Sequence, residues 1–389
     1  MTAPCLLVTG GAGFIGQAVT ALASERGYRV LVFDNLSPQI HGALPGAGTL
    51  SRLHAPSTEV LRGDVRRPSD WALALEHADA VVHLAAETGT AQSMYEIARY
   101  TETNVAGTAL LLDHLANRPH RVRKLVLASS RSVYGEGAYH CPACGLVYPP
   151  PRTEAEFRAH RWQPACPLCH GPVAAAPTPE SAPPAPASIY AATKLAQEDL
   201  VRIAARALGI PTVIFRFQNV YGEGQSLRNP YTGILSIFSN QLRAGKTLEL
   251  YEDGEESRDF VHVSDVARAV LAALGSSRAD GLTLNAGSGE PTTVAQVARL
   301  LGERFGQAAA PVVSGRYRLG DVRHGFADLT AIRTALDFAP QVSLAEGLDR
   351  FTAWVRTRPL EPDLLASATQ ELAARGLTSP QAHAHRASR

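Results

Sequence analysis

From its start to Ser130, the chain alternates short apolar runs with segments whose apolar positions recur at helical spacing. After the first run, Ile15, Val19 and Leu22 repeat at intervals of three or four positions and Gly27 follows, which predicts a helix that ends at this glycine. Continuous apolar runs of this kind are typical of parallel strands buried on both faces. The runs are CLLVTG, RVLVFD, EVLRGD, AVVHLAA and KLVLASS. The pattern predicts a doubly wound α/β fold with a parallel sheet.

The alternation stops in the middle of the chain and then resumes. Residues 136–187 hold many prolines, four of the five cysteines and little periodicity. From residue 189 onward, IYAATKLAQEDLVRIAARALG predicts a helix and PTVIFRF predicts a strand. We therefore predict a main domain with an insertion, a second domain and a tail. The main domain covers residues 1–135 and 188–216, with a strand near 282–286. The insertion covers residues 136–187, and the second domain covers mainly residues 217–358. The tail, residues 359–389, is predicted to be helical and then mobile.

Composition excludes several classes of function. The chain has 389 residues, of which 45% are hydrophobic and 19% charged, and its net charge is +1. This charge gives no basic field for nucleic acid or for an acidic membrane surface. The sequence has no apolar run long enough for a membrane-spanning helix, and its start lacks the pattern of a cleaved signal peptide. We therefore expect a cytoplasmic protein that binds neither nucleic acid nor membranes.

A glycine-rich turn joins the first predicted strand to the first predicted helix. Gly10, Gly13 and Gly16 let a pyrophosphate approach backbone N–H groups at the start of a helix, although a plain tight turn is the alternative. Asp34 ends the next strand, where a carboxylate binds ribose hydroxyls and repels a 2′-phosphate. This arrangement predicts a Rossmann domain that binds NAD and not NADP. The candidate NAD-binding residues are Gly10, Gly13, Phe14, Ile15, Gly16, Asp34, Asn35, Asp64, Val65, Ala85, Tyr190 and Lys194, with turn capping as the alternative for Asp64.

Tyr190 and Lys194 are four positions apart, which places a phenol and an ammonium on one face of a helix. A nearby ammonium favours the phenolate and so prepares the tyrosine for proton transfer. A pair of residues on a helix surface is the alternative. The stretch SSRSVYG favours the catalytic interpretation, because a serine at a strand end can orient the same hydroxyl.

Four cysteines form two Cys-Pro-x-Cys pairs inside the insertion. They are Cys141, Cys144, Cys166 and Cys169, with the stretch 145–165 between the two pairs. This spacing is typical of a zinc ribbon in which four thiolates close a tetrahedral site, so we expect a structural zinc without a catalytic role. Redox dithiols and cysteines without metal are the alternatives. A loop that is poor in apolar residues gains from the metal the core that it lacks.

Several motifs in order resemble one enzyme family. They are TGGAGFIG, FDNLS, HLAA, SSRSVYG, YAATK, RFQNVYGEG and RDFVHVSDVARA. Over roughly residues 4–135 and 188–355 the chain resembles the extended short-chain dehydrogenase/reductase family, in particular its nucleotide-sugar epimerases and dehydratases. The resemblance implies a homodimer and a nucleoside-diphosphate sugar, of dTDP or UDP, as substrate. It implies a catalytic triad of Ser130, Tyr190 and Lys194, with Ser132 as a second hydroxyl near the substrate.

The same resemblance implies a set of residues around the nucleotide sugar. They are Asn104, which the resemblance places near the active-site helix, and Arg216, Asn219, Arg258 and Arg318 around the nucleoside diphosphate. Arginines suit this task because their planar forks bind phosphate oxygens bidentately. A structural salt bridge is the alternative for each arginine, above all for Arg216.

The residues before Val-Tyr-Gly bear on the reaction. Dehydratases of the family carry Asp-Glu there for elimination, and decarboxylases carry a Glu in place of Ser132, whereas this chain has Arg131 and Ser132. The resemblance then implies a 4-epimerase that keeps its NAD bound through a 4-keto intermediate. The insertion and Arg131 resemble those of bacterial 4-epimerases that interconvert dTDP-L-rhamnose and dTDP-6-deoxy-L-talose. The alternatives are a UDP-hexose or uronate 4-epimerase, a nucleotide-sugar dehydrogenase or decarboxylase, and an inert NAD-fold binding module.

Overall fold

The structure is a computed structural model and describes residues 3–42, 57–231, 233–307, 310–362 and 364–379. The polar end of the predicted tail, residues 380–389, lies outside the described residues, as does Thr232. Among the described helices, none combines the length and the apolar content needed to cross a membrane.

Strands are numbered β1 to β16 in chain order. They are β1 (Cys5–Thr9), β2 (Arg29–Asp34), β3 (Thr58–Arg62), β4 (Ala80–His83), β5 (Leu125–Ser130), β6 (Tyr139–Cys141), β7 (Gly145–Val147), β8 (Ala174–Ala175), β9 (Thr212–Phe217), β10 (Asn219–Tyr221), β11 (Glu249–Leu250), β12 (Ser257–His262), β13 (Thr283–Ala286), β14 (Pro291–Thr293), β15 (Val312–Val313) and β16 (His324–Gly325).

Helices are numbered α1 to α14. They are α1 (Phe14–Glu25), α2 (Pro38–His41), α3 (Pro68–Leu75), α4 (Thr90–Ser93), α5 (Ile97–Tyr100), α6 (Gly107–Asn117), α7 (Glu154–Arg158), α8 (Ile189–Leu208), α9 (Ile234–Arg243), α10 (Val263–Gly275), α11 (Val294–Phe305), α12 (Thr330–Leu336), α13 (Leu344–Arg356) and α14 (Leu365–Ala374). A π-helical turn covers Thr101–Ala106 and a 3₁₀ turn covers Arg131–Tyr134.

The large lobe is built on a seven-stranded parallel sheet with the order β13-β9-β5-β4-β1-β2-β3. Helices α1 and α10 pack on one face, and α3, α6 and α8 pack on the other. The predicted doubly wound α/β fold is confirmed. All five apolar runs are strands of this sheet, but β3 is an edge strand with Val60 exposed, so it is not buried on both faces as its sequence predicted.

The small lobe follows β9 and has a separate hydrophobic core. Helices α9, α11 and α13 pack around this core together with β12, which lies in a short sheet with β10, β14 and β16. The chain returns to the large lobe for α10, β13 and α12, which belong to the first core. The two lobes are therefore interleaved between residues 217 and 358.

The insertion forms a three-stranded antiparallel sheet in the order β7-β6-β8. Its small core contains Tyr139, Cys141, Val147, Cys166 and Val173. Helix α7 begins with a capping box between Thr153 and Glu156.

Candidate active site

A cavity of about 910 Å³ lies between the two lobes. Its walls include the glycine-rich turn after β1, the end of β5, the start of α8 and the segment from Phe217 to Tyr231. The carboxyl ends of the parallel strands open into it, which is the usual place for a ligand in an open α/β sheet.

The glycine-rich turn forms a cradle that side chains would fill. Gly10 has a φ of +65°, and a Cβ placed on it would lie 2.8 Å from the backbone nitrogen of Ala85. A Cβ on Gly16 would collide with the carbonyl oxygen of Gly10. Helix α1 begins at Phe14 and directs its first N–H groups toward this turn. The cradle fits the pyrophosphate of a dinucleotide.

Asp34 ends β2 at the edge of the cavity. Its carboxylate accepts hydrogen bonds from the backbone N–H groups of Ala12, at 3.1 Å, and Leu36, at 2.8 Å. These bonds hold the carboxylate beside the glycine turn, where the ribose of a dinucleotide would lie. The cavity wall contains most of the other predicted NAD-binding residues. They are Gly13, Phe14, Ile15, Asn35, Val65 and Ala85.

Asp64 is placed differently from the sequence prediction. Its carboxylate pairs with the Arg66 guanidinium at 2.7 Å and accepts a bond from the backbone N–H of the same residue. The hydrogen bond from Arg66 holds the pKa of this carboxyl at about 2. Gly63 and Val65 line the cavity and Asp64 does not. These contacts favour the alternative of turn capping for Asp64, and NAD binding by this residue stays a prediction.

Ser130, Tyr190 and Lys194 all line the cavity. Helix α8 begins after Ser188, whose side chain accepts a bond from the Ala191 N–H, so the tyrosine lies in the first turn and the lysine one turn further. Burial raises the pKa of Tyr190, while a hydrogen bond from Ser130 and the charge of Arg131 act in the opposite direction. The Ser130 side chain is therefore near enough to influence the tyrosine hydroxyl, which is the arrangement that the sequence predicted.

Lys194 is fully enclosed and belongs to a buried hydrogen-bond chain. Its Nζ donates to Gln197 Oε1 at 2.6 Å, and Gln197 Nε2 donates to Thr108 Oγ1 at 2.6 Å. Burial lowers the pKa of the lysine to about 7, although the charge of Glu198 raises it. The lysine therefore changes its protonation state near neutral pH.

His83 continues this chain into the sheet. Since the Thr108 hydroxyl donates to the carbonyl of Asn104, it accepts from His83 Nε2, at 2.9 Å. His83 Nδ1 then accepts from the Thr9 hydroxyl at 2.8 Å, which makes the ring the neutral Nε2–H tautomer. Burial and Lys194 lower its pKa to about 3. The sequence analysis did not predict this series of hydrogen bonds, although a histidine at the end of a buried strand was a signal for it.

Several buried polar atoms in the cavity wall lack a hydrogen-bond partner among the described residues. They include Ser132 Oγ, Gln218 Oε1, Asn219 Oδ1 and Gln225 Oε1. Buried polar groups are nearly always hydrogen-bonded, so these atoms indicate the binding of a polar ligand. Ser132 and Asn219 are two of the residues that the sequence predicted near the substrate.

Arg258 and Arg318 line the far end of the cavity. Arg258 Nη1 donates to the carbonyls of Ser257, at 2.8 Å, and Arg323, at 3.2 Å. The Arg318 guanidinium lies over the ring of Tyr251, 4.7 Å from its centroid. Both guanidinium groups lie where they can reach an anionic ligand in the cavity.

Arg216 lies outside the cavity wall, in contrast to the sequence prediction. Its Nε and Nη2 donate to the two carboxylate oxygens of Glu198 at 2.9 and 2.7 Å. Its guanidinium also lies over the ring of Tyr134 at 4.6 Å. Since this buried ion pair occupies the guanidinium, we assign Arg216 a structural role.

Asn104 lies against the catalytic helix α8, as the resemblance implies, but outside the cavity wall. Its Oδ1 accepts from the Glu87 N–H at 2.8 Å, and its Nδ2 donates to the Glu87 carbonyl and to Thr193 Oγ1. The side chain is fully buried and absent from the cavity wall. It joins the loop after β4 to α8 and therefore positions the catalytic helix without reaching the substrate.

The four cysteines of the insertion lie together. Their sulfur atoms are all within 4.8 Å of one another, and the Sγ atoms of Cys141 and Cys169 are 3.5 Å apart. In the described part of the chain this is the one cluster of potential metal ligands, and it contains neither His140 nor His170. Four sulfur donors suit zinc.

A buried ionic network joins the insertion to the far end of the cavity. Arg152 Nε donates to Glu136 at 3.0 Å, and its Nη1 donates to Glu252 at 2.8 Å. Arg152 Nη2 donates to the carbonyl of Asp321 at 2.9 Å, and the carboxylate of Asp321 accepts from Arg258 at 3.3 Å. The insertion therefore supports the residues that hold Arg258.

The model of the NAD dependent epimerase/dehydratase family matches residues 6–156 and 168–287. The chain belongs to this family. The matched residues contain the glycine cradle, Asp34 and the Ser130, Tyr190 and Lys194 constellation.

Members of the epimerase/dehydratase family resemble the chain over most of its length. The dTDP-L-rhamnose 4-epimerase of Burkholderia thailandensis is 40% identical over 353 residues, which cover 90% of this chain and 94% of that protein. The UDP-glucose 4-epimerase of Mycolicibacterium smegmatis is 30% identical and covers 90% of this chain and 98% of its own length.

Solved structures of the family agree with this fold. The UDP-glucose 4-epimerase of Thermotoga maritima with UDP-glucose has a TM-score of 0.73 and 30% identity, covering 90% of this chain and 98% of that one. The UDP-glucuronic acid 4-epimerase of Bacillus cereus with UDP-glucuronic acid and NAD has a TM-score of 0.74 and 26% identity, covering 90% and 99%.

Proposed function

We propose that the protein is an NAD-dependent nucleotide-sugar 4-epimerase. The observation that carries this proposal is the meeting of Ser130, Tyr190 and Lys194 with a glycine cradle and Asp34 in one cavity. Proton transfer to a hydroxyl and binding of a dinucleotide are thereby combined at one place. An inert binding module would have no use for a tyrosine held by a serine beside such a cradle.

Tyr190 moves the proton in this reaction. Its phenol oxygen takes the proton of the sugar 4-hydroxyl and later returns it to the 4-keto oxygen, while the Ser130 hydroxyl orients the same atom. NAD bound in the cradle would accept a hydride from C4 and return it. Lys194, whose Nζ donates to Gln197 Oε1, lies in the same cavity, and its charged form would favour the phenolate of the tyrosine.

Other reactions of the family need groups that this chain lacks beside Ser130. Elimination of the 6-hydroxyl requires an acid and a base there, whereas the chain has Arg131 and Ser132. Asp34 disfavours NADP, because its carboxylate would face the 2′-phosphate.

We propose dTDP-L-rhamnose and dTDP-6-deoxy-L-talose as the substrate pair. The support is the 40% identity to the dTDP-L-rhamnose 4-epimerase of Burkholderia thailandensis over 90% of the chain. A UDP-hexose 4-epimerase is the second candidate, since solved relatives with a TM-score of 0.73 and 0.74 contain UDP-sugars.

We further propose that Cys141, Cys144, Cys166 and Cys169 bind one structural zinc. The support is the convergence of four sulfur atoms in a small core that has few apolar side chains. Four thiolates leave no open position for substrate, so the metal would stabilise the insertion and through Arg152 the far end of the cavity. For the assembly we propose a homodimer through α6 and α8, where Ile203 is exposed.

Nuclear magnetic resonance of a substrate panel tests the proposed function. Purified protein is incubated with dTDP-L-rhamnose, UDP-glucose and UDP-glucuronate without added NAD. We expect the first to form its C4 epimer and the Tyr190→Phe variant to form none. Conversion of a UDP-sugar but not of dTDP-L-rhamnose would show that the proposed substrate is wrong. Net formation of NADH would show that the protein is a dehydrogenase and not an epimerase.

A further inference from the structure

Arg131 is a cationic residue of the cavity wall that the proposed mechanism does not use. It follows Ser130 directly and opens the 3₁₀ turn Arg131–Tyr134, and its charge acts to lower the pKa of Tyr190. The sequence analysis used this position to disfavour elimination and as a point of resemblance, and it assigned the Arg131 side chain no contact with a ligand. Its side chain is partly buried.

The guanidinium of Arg131 has no hydrogen bond and no ion pair within the described ranges of the chain. Four neighbouring or comparable buried arginines all have such partners. They are Arg152, Arg216, Arg258 and Arg323. Burial and the charge of Arg258 lower the pKa of Arg131 to about 10, so the group is charged at neutral pH. A guanidinium that lines the cavity without a protein partner is free to bind an anionic ligand, which indicates that a ligand supplies the partner.

Gly325, which has no side chain, leaves room for the guanidinium of Arg131. Arg131 Nη1 lies 2.6 Å from the place where a Cβ on Gly325 would be. Gly325 pairs in register with Arg258 across β16 and β12. The two guanidinium groups are therefore neighbours, with Arg131 between the Ser130 and Tyr190 pair on one side and Arg258 on the other.

We propose that the Arg131 guanidinium binds an anionic oxygen of the nucleotide sugar, at the junction between the sugar and the diphosphate. Two adjacent guanidinium groups match the oxygens of one phosphate, and a planar fork binds such oxygens bidentately. The source of the oxygen is either the phosphate that carries the sugar or a carboxylate on the sugar. This inference rests on the proposed function, because it assumes a nucleotide sugar in the cavity.

Calorimetric titration of the NAD-bound protein distinguishes the two sources. The ligands are dTDP, dTDP-L-rhamnose and UDP-glucuronate, and the variants are Arg131→Gln and Arg131→Lys. Loss of a charged hydrogen bond weakens binding by about tenfold or more. If the oxygen belongs to the phosphate, Arg131→Gln weakens the binding of all three ligands. If it belongs to a carboxylate on the sugar, only the binding of UDP-glucuronate is weakened.

Two further variants keep the test independent of folding. Arg278→Gln removes an exposed ion pair with Asp337 and should leave all three affinities unchanged. Gly325→Ala keeps every atom of Arg131 but displaces its flexible end, so it should weaken the same ligands as Arg131→Gln. Because the unbound guanidinium has no partner, Arg131→Gln should not lower the melting temperature, whereas a structural role would require that it does.

Unchanged affinity of Arg131→Gln for all three ligands overturns the proposal, and so does a loss of affinity that is matched by a loss of stability. The proposed function fails separately. A wild type that binds dTDP and epimerises no sugar refutes the 4-epimerase and leaves the result for Arg131 valid. A wild type that binds none of the three ligands overturns both.

Discussion

The buried ion pair of Arg216 with Glu198 allows a structural role to be separated from substrate binding. The two side chains are 5% and 0% exposed, and two N–H···O contacts of 2.9 and 2.7 Å join them. Glu198 also accepts a hydrogen bond from Ser129 Oγ at 2.5 Å and one from Arg202 at 3.3 Å. Replacing Arg216 by Met removes the two short contacts and strands a carboxylate inside the protein.

Breaking a buried pair on one side costs about 3–5 kcal/mol. Since Ser129 and Arg202 still contact Glu198, we expect Arg216→Met to lower the free energy of unfolding by about 3 kcal/mol, the lower end of that range. The double variant Arg216→Met with Glu198→Gln removes the stranded charge and should recover at least half of the loss. The exposed pair of Arg278 with Asp337 is the control, and Arg278→Met should cost less than about 0.5 kcal/mol.

Urea unfolding followed by tryptophan fluorescence measures these differences, and the KM for the nucleotide sugar is measured on the same samples. The KM of Arg216→Met should stay within about threefold of wild type, since a guanidinium paired with Glu198 outside the cavity wall does not contribute to substrate binding. If the Met variant does not accumulate, Arg216→Lys takes its place. A stable variant whose KM rises more than about tenfold would refute the structural role and restore the substrate contact predicted from the sequence.

Three other variants test the remaining roles. Tyr190→Phe should lower kcat by about a hundredfold or more with NAD still bound, as measured by turnover and by release of NAD on denaturation. Cys166→Ser should lose one zinc per chain by elemental analysis and weaken substrate binding, while the NAD content stays normal; a loss of kcat alone would contradict a structural metal. Lys194→Met should stabilise the protein most below pH 7, and this gain should decline as the pH rises toward 10. The reason is that burial lowers the lysine pKa from 10.5 to about 7, so the wild type loses stability as the pH falls through that range. A gain that does not vary with pH would show that Lys194 has an ordinary pKa.

The sequence was sufficient for the large lobe, because buried parallel strands leave a local signal. The runs at Cys5–Thr9 and Leu125–Ser130 are apolar nearly throughout, and the structure places them in one sheet. The glycine turn and the cysteine pairs are local as well. Their spacing alone therefore indicated the cradle and the sulfur cluster.

The roles of single polar residues depended on partners far along the chain. Arg216 lies on a strand in which every residue is buried, so the sequence did not show which face its side chain takes or that Glu198 lies there. Arg131 is left without a partner among the described residues, and the room for its guanidinium comes from Gly325 in a distant part of the sequence. Contacts between residues that are far apart in the sequence depend on how the elements pack, which the local sequence pattern does not show.

The fate of a deuterium atom at C4 of dTDP-L-rhamnose tests the central claim most directly. The purified protein, with only the NAD that it carries, is incubated with this substrate in ordinary water and followed by nuclear magnetic resonance. Direct transfer of hydride to and from NAD predicts that dTDP-6-deoxy-L-talose forms with the deuterium still at C4. Loss of the deuterium to water, or the absence of a C4 epimer although NAD is bound, would contradict the account.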